Sequence, residues 1–213
     1  MFEQRLTQNA KNILGILANV VSPNSYLAGG TALALWLDHR NSIDLDIYSP
    51  EKFDIEQMNR RFEEALPNFQ PIALSWQTIH GKSTDTEISL FYYQYPLLKE
   101  TTKFLNFNIA SVEDIATMKL EAIAGRGLKR DFFDLYKILN NKVWTLKYLI
   151  ELNDKKYRRE GSFTPHILRS LVYFDDAEQM SERAVEVENE WEEIKQFFIK
   201  TVSDFSKNEL QNL

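Results

Sequence analysis

The first part of the chain shows two kinds of hydrophobic pattern, one helical and one extended. Apolar residues recur at helical spacing over about residues 2–21 and again over 54–66, so each stretch is predicted to form an amphipathic helix. Shorter apolar stretches bounded by Pro, Gly, Asn or Asp predict strands. These predicted strands cover residues 25–28, 71–78 and 87–93. A polar loop at residues 80–85 is expected to join the last two as a hairpin.

From residue 111 onward only helical patterns remain. Ser111 is expected to cap a helix that ends near Gly125, and a second helix is predicted at 130–139. Further helices are predicted over about residues 145–152, 164–174 and 184–205. We therefore predict an α+β fold, with a small mixed sheet flanked by helices in residues 1–140 and a helical C-terminal region in residues 141–213.

Composition narrows the class of protein. The 213 residues carry a net charge of -6, so no overall positive field draws nucleic acid to the chain non-specifically. Cysteine is absent, which excludes disulfides and thiol catalysis. The N-terminal residues lack the apolar core of a signal peptide, and the longest apolar run is too short to cross a bilayer. We expect a cytoplasmic protein without a membrane segment.

The candidate chemistry begins between residues 26 and 48. Gly29 and Gly30 lack Cβ atoms, so a phosphate can approach their backbone N–H groups, and Thr31 is expected to open a short apolar helix. A following strand, which ends before a proline, carries Asp44 and Asp46 on one face. Two neighbouring carboxylates repel each other unless a cation lies between them, and Mg²⁺ is a hard ion that prefers such oxygen ligands.

A plainer interpretation of the same residues stays open. The glycine pair can be an ordinary turn, the apolar helix can belong to the core, and the two aspartates can be solvent-exposed. The three histidines, His39, His80 and His166, have no metal-ligand spacing, so a zinc site is not expected. The basic run at residues 155–159 can contact an RNA backbone, but such a run is more often a solvated loop, and a solvated loop is what we expect.

The upstream motif resembles that of a known family. Gly29-Gly30-Thr31, then Arg40 and Ser42, then Asp44-Leu45-Asp46 are similar to the nucleotidyltransferase motif of the AbiEii/AbiGii toxin family, within the DNA-polymerase-β-like superfamily. The resemblance implies a nucleotidyltransferase fold in which Asp44 and Asp46 hold Mg²⁺, as one ion or two. It also implies that the glycines, Thr31 and Arg40 bind the nucleotide.

A second resemblance covers residues 111–139. Lys119 and Asp131 lie in stretches similar to the downstream family motifs, which implies that Lys119 reaches the triphosphate and that Asp131 orients this lysine or the acceptor. Arg126 and Arg130 add positive charge in an otherwise acidic chain and are candidate nucleotide-binding residues. The alternative for these cations is a solvated helix face with ion pairs. Asp134 is interpreted as a helix-terminal acid and ranked below Asp131.

The sequence departs from the superfamily pattern at one position. A complete site has a third carboxylate on a neighbouring strand, commonly the base that activates the acceptor hydroxyl. The residue that aligns with it is Ser89, which cannot serve. Glu87 lies two residues away on the same strand face, so we predict that Glu87 is the substitute.

The resemblance implies a Mg²⁺-dependent enzyme that moves a nucleoside monophosphate from an NTP to a hydroxyl. It further implies the toxin of a toxin–antitoxin or abortive-infection system, with RNA such as the 3′ end of tRNA as acceptor and a cognate antitoxin as partner. The alternative is a catalytically lapsed nucleotide-binding module that acts through protein partners. A third hypothesis is an interaction protein that uses the acidic helix around residues 186–193.

Overall fold

The computed structural model describes residues 1–141, 144–159, 163–179 and 185–211. Two compact units divide the chain, residues 1–111 and residues 112–213. The sequence predicted a boundary at residue 140 instead. The boundary lies earlier in the sequence because the two helices before residue 140 pack against later helices of the second unit.

Across residues 1–111, all of which the structure describes, seven strands form one mixed sheet in the order β3-β4-β5-β2-β1-β7-β6. The strands are β1 Tyr26–Leu27, β2 Leu45–Ser49, β3 Phe69–Ser75, β4 Thr78–Ser83, β5 Thr86–Tyr92, β6 Thr102–Phe104 and β7 Phe107–Ile109. β2 pairs in parallel with β5, and β1 pairs in parallel with β7. The other neighbouring pairs are antiparallel. The mixed sheet predicted from the sequence is therefore confirmed.

Three helices accompany this sheet, and two of them have a side-chain cap. They are α1 Gln8–Leu17, α2 Gly29–Leu37 and α3 Ile55–Ala65, preceded by a 3-10 turn at Glu3–Arg5. Thr7 accepts from the backbone N–H of Ala10, and Asp54 accepts from that of Gln57, so each satisfies a free donor of its helix. The predicted helix over 2–21 is shorter than expected because the Thr7 cap separates it from the 3-10 turn.

The loop predicted at residues 80–85 is mostly strand β4. Its buried residues, Ile79, Gly81 and Ser83, alternate with the more exposed His80 and Lys82. The sequence does not indicate this strand, because two of its three buried positions are a glycine and a serine, which are not strongly hydrophobic. Turns at residues 76–77 and 84–85 make β3, β4 and β5 a three-stranded meander. Strands β6 and β7, of three residues each, were too short for a periodic pattern to reveal.

Strand β3 lies at one end of the sheet and is mostly exposed. Ile72, Leu74 and Trp76 project large apolar side chains into solvent. The register with β4 shifts between Pro71 and Ala73, which marks a bulge.

The second unit is helical in its described residues. Its helices are α4 Val112–Gly125, α5 Lys129–Asn140, α6 Leu146–Tyr157, α7 Thr164–Ser170, α8 Asp175–Glu178 and α9 Val185–Gln211. The predicted start of the last helix, residue 184, lies outside the described residues. Phe132 is fully buried against the rings of Phe174, Trp191 and Phe198, which form the centre of this core. None of the described helices is both long enough and apolar enough to cross a membrane.

Candidate active site

Gly29 begins α2 in a conformation that few other residues adopt. Its φ angle is 68°, in the left-handed region, and a Cβ built on it would overlap Oδ2 of Asp46. The backbone supports the same contact, because the N–H of Ala28 donates to the carbonyl oxygen of Asp46 at 3.0 Å. Position 29 therefore requires glycine for two reasons, the left-handed backbone conformation and the close approach of the Asp46 carboxylate.

Gly30 has an equally specific neighbour. A Cβ at this position would overlap the guanidinium of Arg40, which is 7% exposed and donates from Nη1 to the carbonyl oxygen of Asn41 at 3.2 Å. The sequence predicted that the missing Cβ atoms admit a phosphate. In the structure they make room for Asp46 and Arg40, which places an anion and a cation beside the N-terminus of α2.

Thr31 has a different position from the one expected. The helix begins at Gly29, and Ala28 rather than Thr31 precedes it. Thr31 is buried, and its hydroxyl donates to the carbonyl oxygen of Asp44 at 2.5 Å while lying 2.8 Å from Ser42 Oγ. The hydroxyl therefore fixes the segment that leads into β2, since its single proton is used within the protein.

The two aspartates flank the start of β2. Asp44 directly precedes the strand, and Asp46 lies within it between the fully buried Leu45 and Ile47. The core side chains on one face thus hold Asp46 on the other. Two carboxylates in this arrangement suit a hard divalent cation whose remaining ligands are phosphate and water oxygens. Among the described residues, no three His, Asp or Glu side chains form a metal-binding group.

The position beside Asp46 on β5 is occupied by Ser89. Asp46 and Ser89 are register partners in the parallel pairing of β2 and β5, which agrees with the alignment that put Ser89 at the third carboxylate. Glu87 lies on the same face of β5, two residues before Ser89. Its Oε2 lies 3.8 Å from Nε2 of His80 on β4. His80 also contacts Ser89, with Nδ1 3.1 Å from Oγ.

In the second unit, Lys119 lies between two carboxylates of α5. Its Nζ is 2.8 Å from Oδ1 of Asp131 and 2.7 Å from Oδ2 of Asp134, and all three side chains are buried. Asp131 Oδ2 is buried without a hydrogen-bond partner among the described residues.

Asp134 is therefore more than the helix-terminal acid that the sequence suggested. Asp131 and Asp134 are three residues apart on one helix, and this spacing places both on the side that meets Lys119. The Asp-x-x-Asp spacing carried the signal for this second carboxylate.

The other predicted cations differ in their surroundings. Arg126 and Arg130 are exposed, just after α4 and in the first turn of α5. Lys129, the residue before Arg130, forms an ion pair, with its Nζ 2.9 Å from both carboxylate oxygens of Glu188.

The basic run at residues 155–159 is not a solvated loop. Lys156, at the end of α6, is fully buried with its Nζ 2.6 Å from Oδ1 of Asp114, which is also fully buried. Burial lowers the pKa of Lys156, and the neighbouring Asp114 opposes this shift. Arg159 makes a two-pronged hydrogen bond to the carboxylate of Glu121. These two cations are therefore internal partners and not a surface for RNA.

The predicted site residues thus form two groups, one in each unit. In the first unit the starts of α2 and β2 bring together Gly29, Gly30, Thr31, Arg40, Asp44 and Asp46. Glu87 lies on β5, two residues before Ser89, the register partner of Asp46. In the second unit the structure pairs Lys119 with Asp131. The sequence patterns do not indicate Asp134 as a partner of Lys119, nor the contacts of His80, which lies in a stretch predicted to be a loop.

Comparison with known proteins identifies the family. A protein of Aquifex aeolicus described only as uncharacterized is 40% identical over 187 residues, which cover 86% of this chain and 88% of that protein. Two solved structures share the fold at low sequence identity. The nucleotidyltransferase toxin MenT4 of Mycobacterium tuberculosis has a TM-score of 0.56 at 16% identity, covering 91% of this chain and 81% of MenT4.

The second structure, a Helicobacter pylori protein assigned as a nucleotidyltransferase, has a TM-score of 0.51 at 19% identity, with 94% of each chain covered. The family of AbiEii nucleotidyl transferase toxins, of type IV toxin–antitoxin systems, matches residues 16–81 and 83–210. This match spans most of the chain and confirms the resemblance found in its motifs. The chain therefore belongs to the AbiEii nucleotidyl transferase toxin family.

Proposed function

We propose that this protein is a Mg²⁺-dependent nucleotidyltransferase that moves a nucleoside monophosphate from an NTP to a hydroxyl. The observation that carries the proposal is the contact of the Asp46 carboxylate with Gly29 at the start of α2, with Asp44 two residues before it. A helix N-terminus attracts phosphate and a pair of carboxylates attracts a divalent cation. Their juxtaposition suits a nucleotide that arrives with its metal.

Asp44 and Asp46 would hold the Mg²⁺, as one ion or two. The bound ion would neutralise triphosphate charge and polarise the attacked phosphorus. The chain's own residues position the substrate: the N–H groups at the start of α2 and the guanidinium of Arg40 face phosphate oxygens. Glu87 is the carboxylate proposed to serve the acceptor side, because it lies on the face of β5 that carries Ser89.

Lys119 is proposed to contact the triphosphate, with Asp131 as its orienting partner. The 2.8 Å contact between them supports this pairing. Arg126 and Arg130 are exposed and are proposed to meet the outer phosphates or the acceptor backbone.

The family supports a biological role as the toxin of a toxin–antitoxin pair, acting in the cytoplasm. We propose RNA, such as the 3′ end of tRNA, as the acceptor and a cognate antitoxin as the restraining partner. The acidic helix α9 is less suited to be the main partner surface, because Glu188, Glu190 and Glu193 bond to residues of α5.

The test is transfer of label from each NTP in turn to total RNA and protein from a bacterial lysate, with Mg²⁺ present. The doubly substituted Asp44→Asn/Asp46→Asn protein is expected to lose the labelled product by about a hundredfold or more, since it lacks the charge that holds the ion. Asp175→Asn/Asp176→Asn is the matched control, because it removes the same charge from two exposed positions of α8. Equal labelling by both double variants contradicts the proposal.

The alternative of a lapsed nucleotide-binding module is favoured by one observation, the serine at position 89 beside Asp46. In that case Mg-NTP stabilises the wild type against heat, Asp44→Asn reduces this stabilisation, and neither protein transfers label. Glu87→Gln separates the two functions further. For an enzyme it is expected to abolish transfer while NTP binding remains.

A further inference from the structure

The face of the sheet that carries Asp46 also carries three side chains from strands β4 and β5. The register places Ser89 beside Asp46 on one side and beside His80 on the other. Because paired residues in a sheet project to the same face, the order across the strands is Asp46, Ser89, His80. Glu87 follows on the same face of β5, two residues before Ser89.

His80 contacts the other two residues, each through a different ring nitrogen. His80 Nδ1 lies 3.1 Å from Ser89 Oγ, a hydrogen-bond distance, and its Nε2 lies 3.8 Å from Glu87 Oε2. The imidazole therefore has a hydroxyl at one nitrogen and a carboxylate facing the other. The 3.8 Å separation is longer than a hydrogen bond, so Glu87 is an ion-pair neighbour of the ring. Hydroxyl, imidazole and carboxylate nevertheless follow one another in the order of an oxygen, a base and its orienting acid.

Charged residues on three strands share the sheet face of His80. Lys82 lies on the same strand and is exposed, Glu87 lies on β5, and Asp46 lies on β2 beyond Ser89. The register partner of His80 on β3 is the uncharged Ala73. Glu87 is the carboxylate in contact with the ring, at 3.8 Å.

We propose that Ser89, His80 and Glu87 form a proton relay that replaces the third carboxylate of the superfamily site. This inference rests on the proposed nucleotidyl transfer. Ser89 is the member that touches the acceptor hydroxyl, and His80 and Glu87 are positioning residues that act through it. Histidine suits this task because its unperturbed side chain changes charge near neutral pH.

The relay balances as a single transfer. The acceptor hydroxyl gives its proton to Ser89 Oγ as the acceptor oxygen bonds to the α-phosphorus of the NTP. Ser89 gives its own proton to His80 Nδ1, and the imidazolium is stabilised by Glu87 across Nε2. The bond from the α-phosphorus to the bridging oxygen breaks, and pyrophosphate leaves with that electron pair.

The first test is His80→Gln, which keeps a hydrogen-bonding side chain of similar reach but cannot take up a proton. We expect transfer to fall about a hundredfold, the usual contribution of a general base, with Mg-NTP binding and melting temperature unchanged. The rise of the wild-type rate on the acidic side of its pH profile should also disappear. His166→Gln, in α7 of the other unit, is the matched control and should behave as wild type.

The decisive test restores a carboxylate at the position beside Asp46. In Ser89→Asp the relay is bypassed, so adding His80→Gln should cost less than about threefold, against about a hundredfold in the wild-type background. Ser89→Ala gives a second route to the answer. It should lower transfer as much as His80→Gln does, and the two together should be no worse than either, because the residues act as a unit.

The outcomes separate this relay from the function on which it rests. Transfer by the wild type with an undiminished rate in His80→Gln overturns the relay alone. The same holds if His80→Gln costs as much in the Ser89→Asp background as in the wild type. No transfer by the wild type at all refutes the proposed function, and the relay with it.

Discussion

The side chains of Asp46 and Arg40 lie where two adjacent glycines would otherwise carry Cβ atoms. The positions of these two charged side chains therefore depend on glycine at residues 29 and 30, because any Cβ atom would displace them. Spacing alone pointed to both glycines and both aspartates, because the motif is local in sequence. His80 and Asp134 depend on register and on helix packing, so no local pattern established what they contact.

Gly29→Ala tests this dependence. The substitution puts a side chain on a residue with φ of 68° and against the Asp46 carboxylate, so we expect a loss of about 1–3 kcal/mol in the free energy of unfolding, together with loss of transfer. Gly15→Ala is the matched control. It lies within α1 with open space at the Cβ position, so it should stabilise the protein by about 0.5–1 kcal/mol. Urea unfolding of both proteins gives the comparison, and a neutral Gly29→Ala contradicts the geometry.

At the scale of the element, α6 is joined to α4 by the buried pair of Lys156 and Asp114. Sequence patterns predicted both helices, but they placed Lys156 in a surface basic run and indicated no partner for Asp114. A pattern of charge cannot show that two charged residues 42 positions apart are buried together. Their energetic weight follows from burial, because removing one partner takes the opposite charge away from a desolvated group.

Lys156→Met is expected to destabilise the protein by about 3–5 kcal/mol, because Asp114 loses its buried countercharge. The neighbouring Lys155→Met is the control, since Lys155 is exposed, and it should change stability by less than about 0.5 kcal/mol. Chemical denaturation of the wild type and the two variants measures both changes in the free energy of unfolding. Equal effects of the two substitutions would show that the Lys156 ammonium is not buried.

The helices α5 and α9 are joined by a bond that responds to alkaline pH. The Tyr136 hydroxyl donates to Oε1 of Glu193 at 2.5 Å. Burial, followed by this bond and the charges of Glu193 and Glu190, raises the pKa of Tyr136 from 10.0 to about 12. Because the neutral phenol is favoured in the folded state, its contribution is complete below pH 10 and is lost as the pH rises through about 12.

Tyr136→Phe should therefore reduce the loss of stability between pH 10 and pH 12. The measurement is the urea midpoint of the wild type and the variant at several pH values in this range. A variant that loses as much stability as the wild type would exclude Tyr136 as a source of the alkaline sensitivity.

At the scale of the whole molecule, the sequence led to the α+β class and to the family, both of which are confirmed. It did not lead to the division at residue 111, which depends on α4 and α5 packing with α6, α7 and α9. It also missed β4, where Gly81 fits beneath the ring of Phe69. Both the division and strand β4 depend on contacts between residues that are far apart in the sequence. The pattern of hydrophobic and polar residues along the chain does not show which of these residues meet.

The two outer strands of the sheet have a consequence for how the protein associates. An unpaired strand normally invites a second chain to hydrogen-bond along it, which leads to aggregation. Here β3 combines exposed apolar side chains with a proline and a bulge, and β6 at the opposite end has three residues. Neither offers a long, regular template for β-augmentation. We therefore expect a protein partner to recognise side chains of this protein and not to add a strand to its sheet.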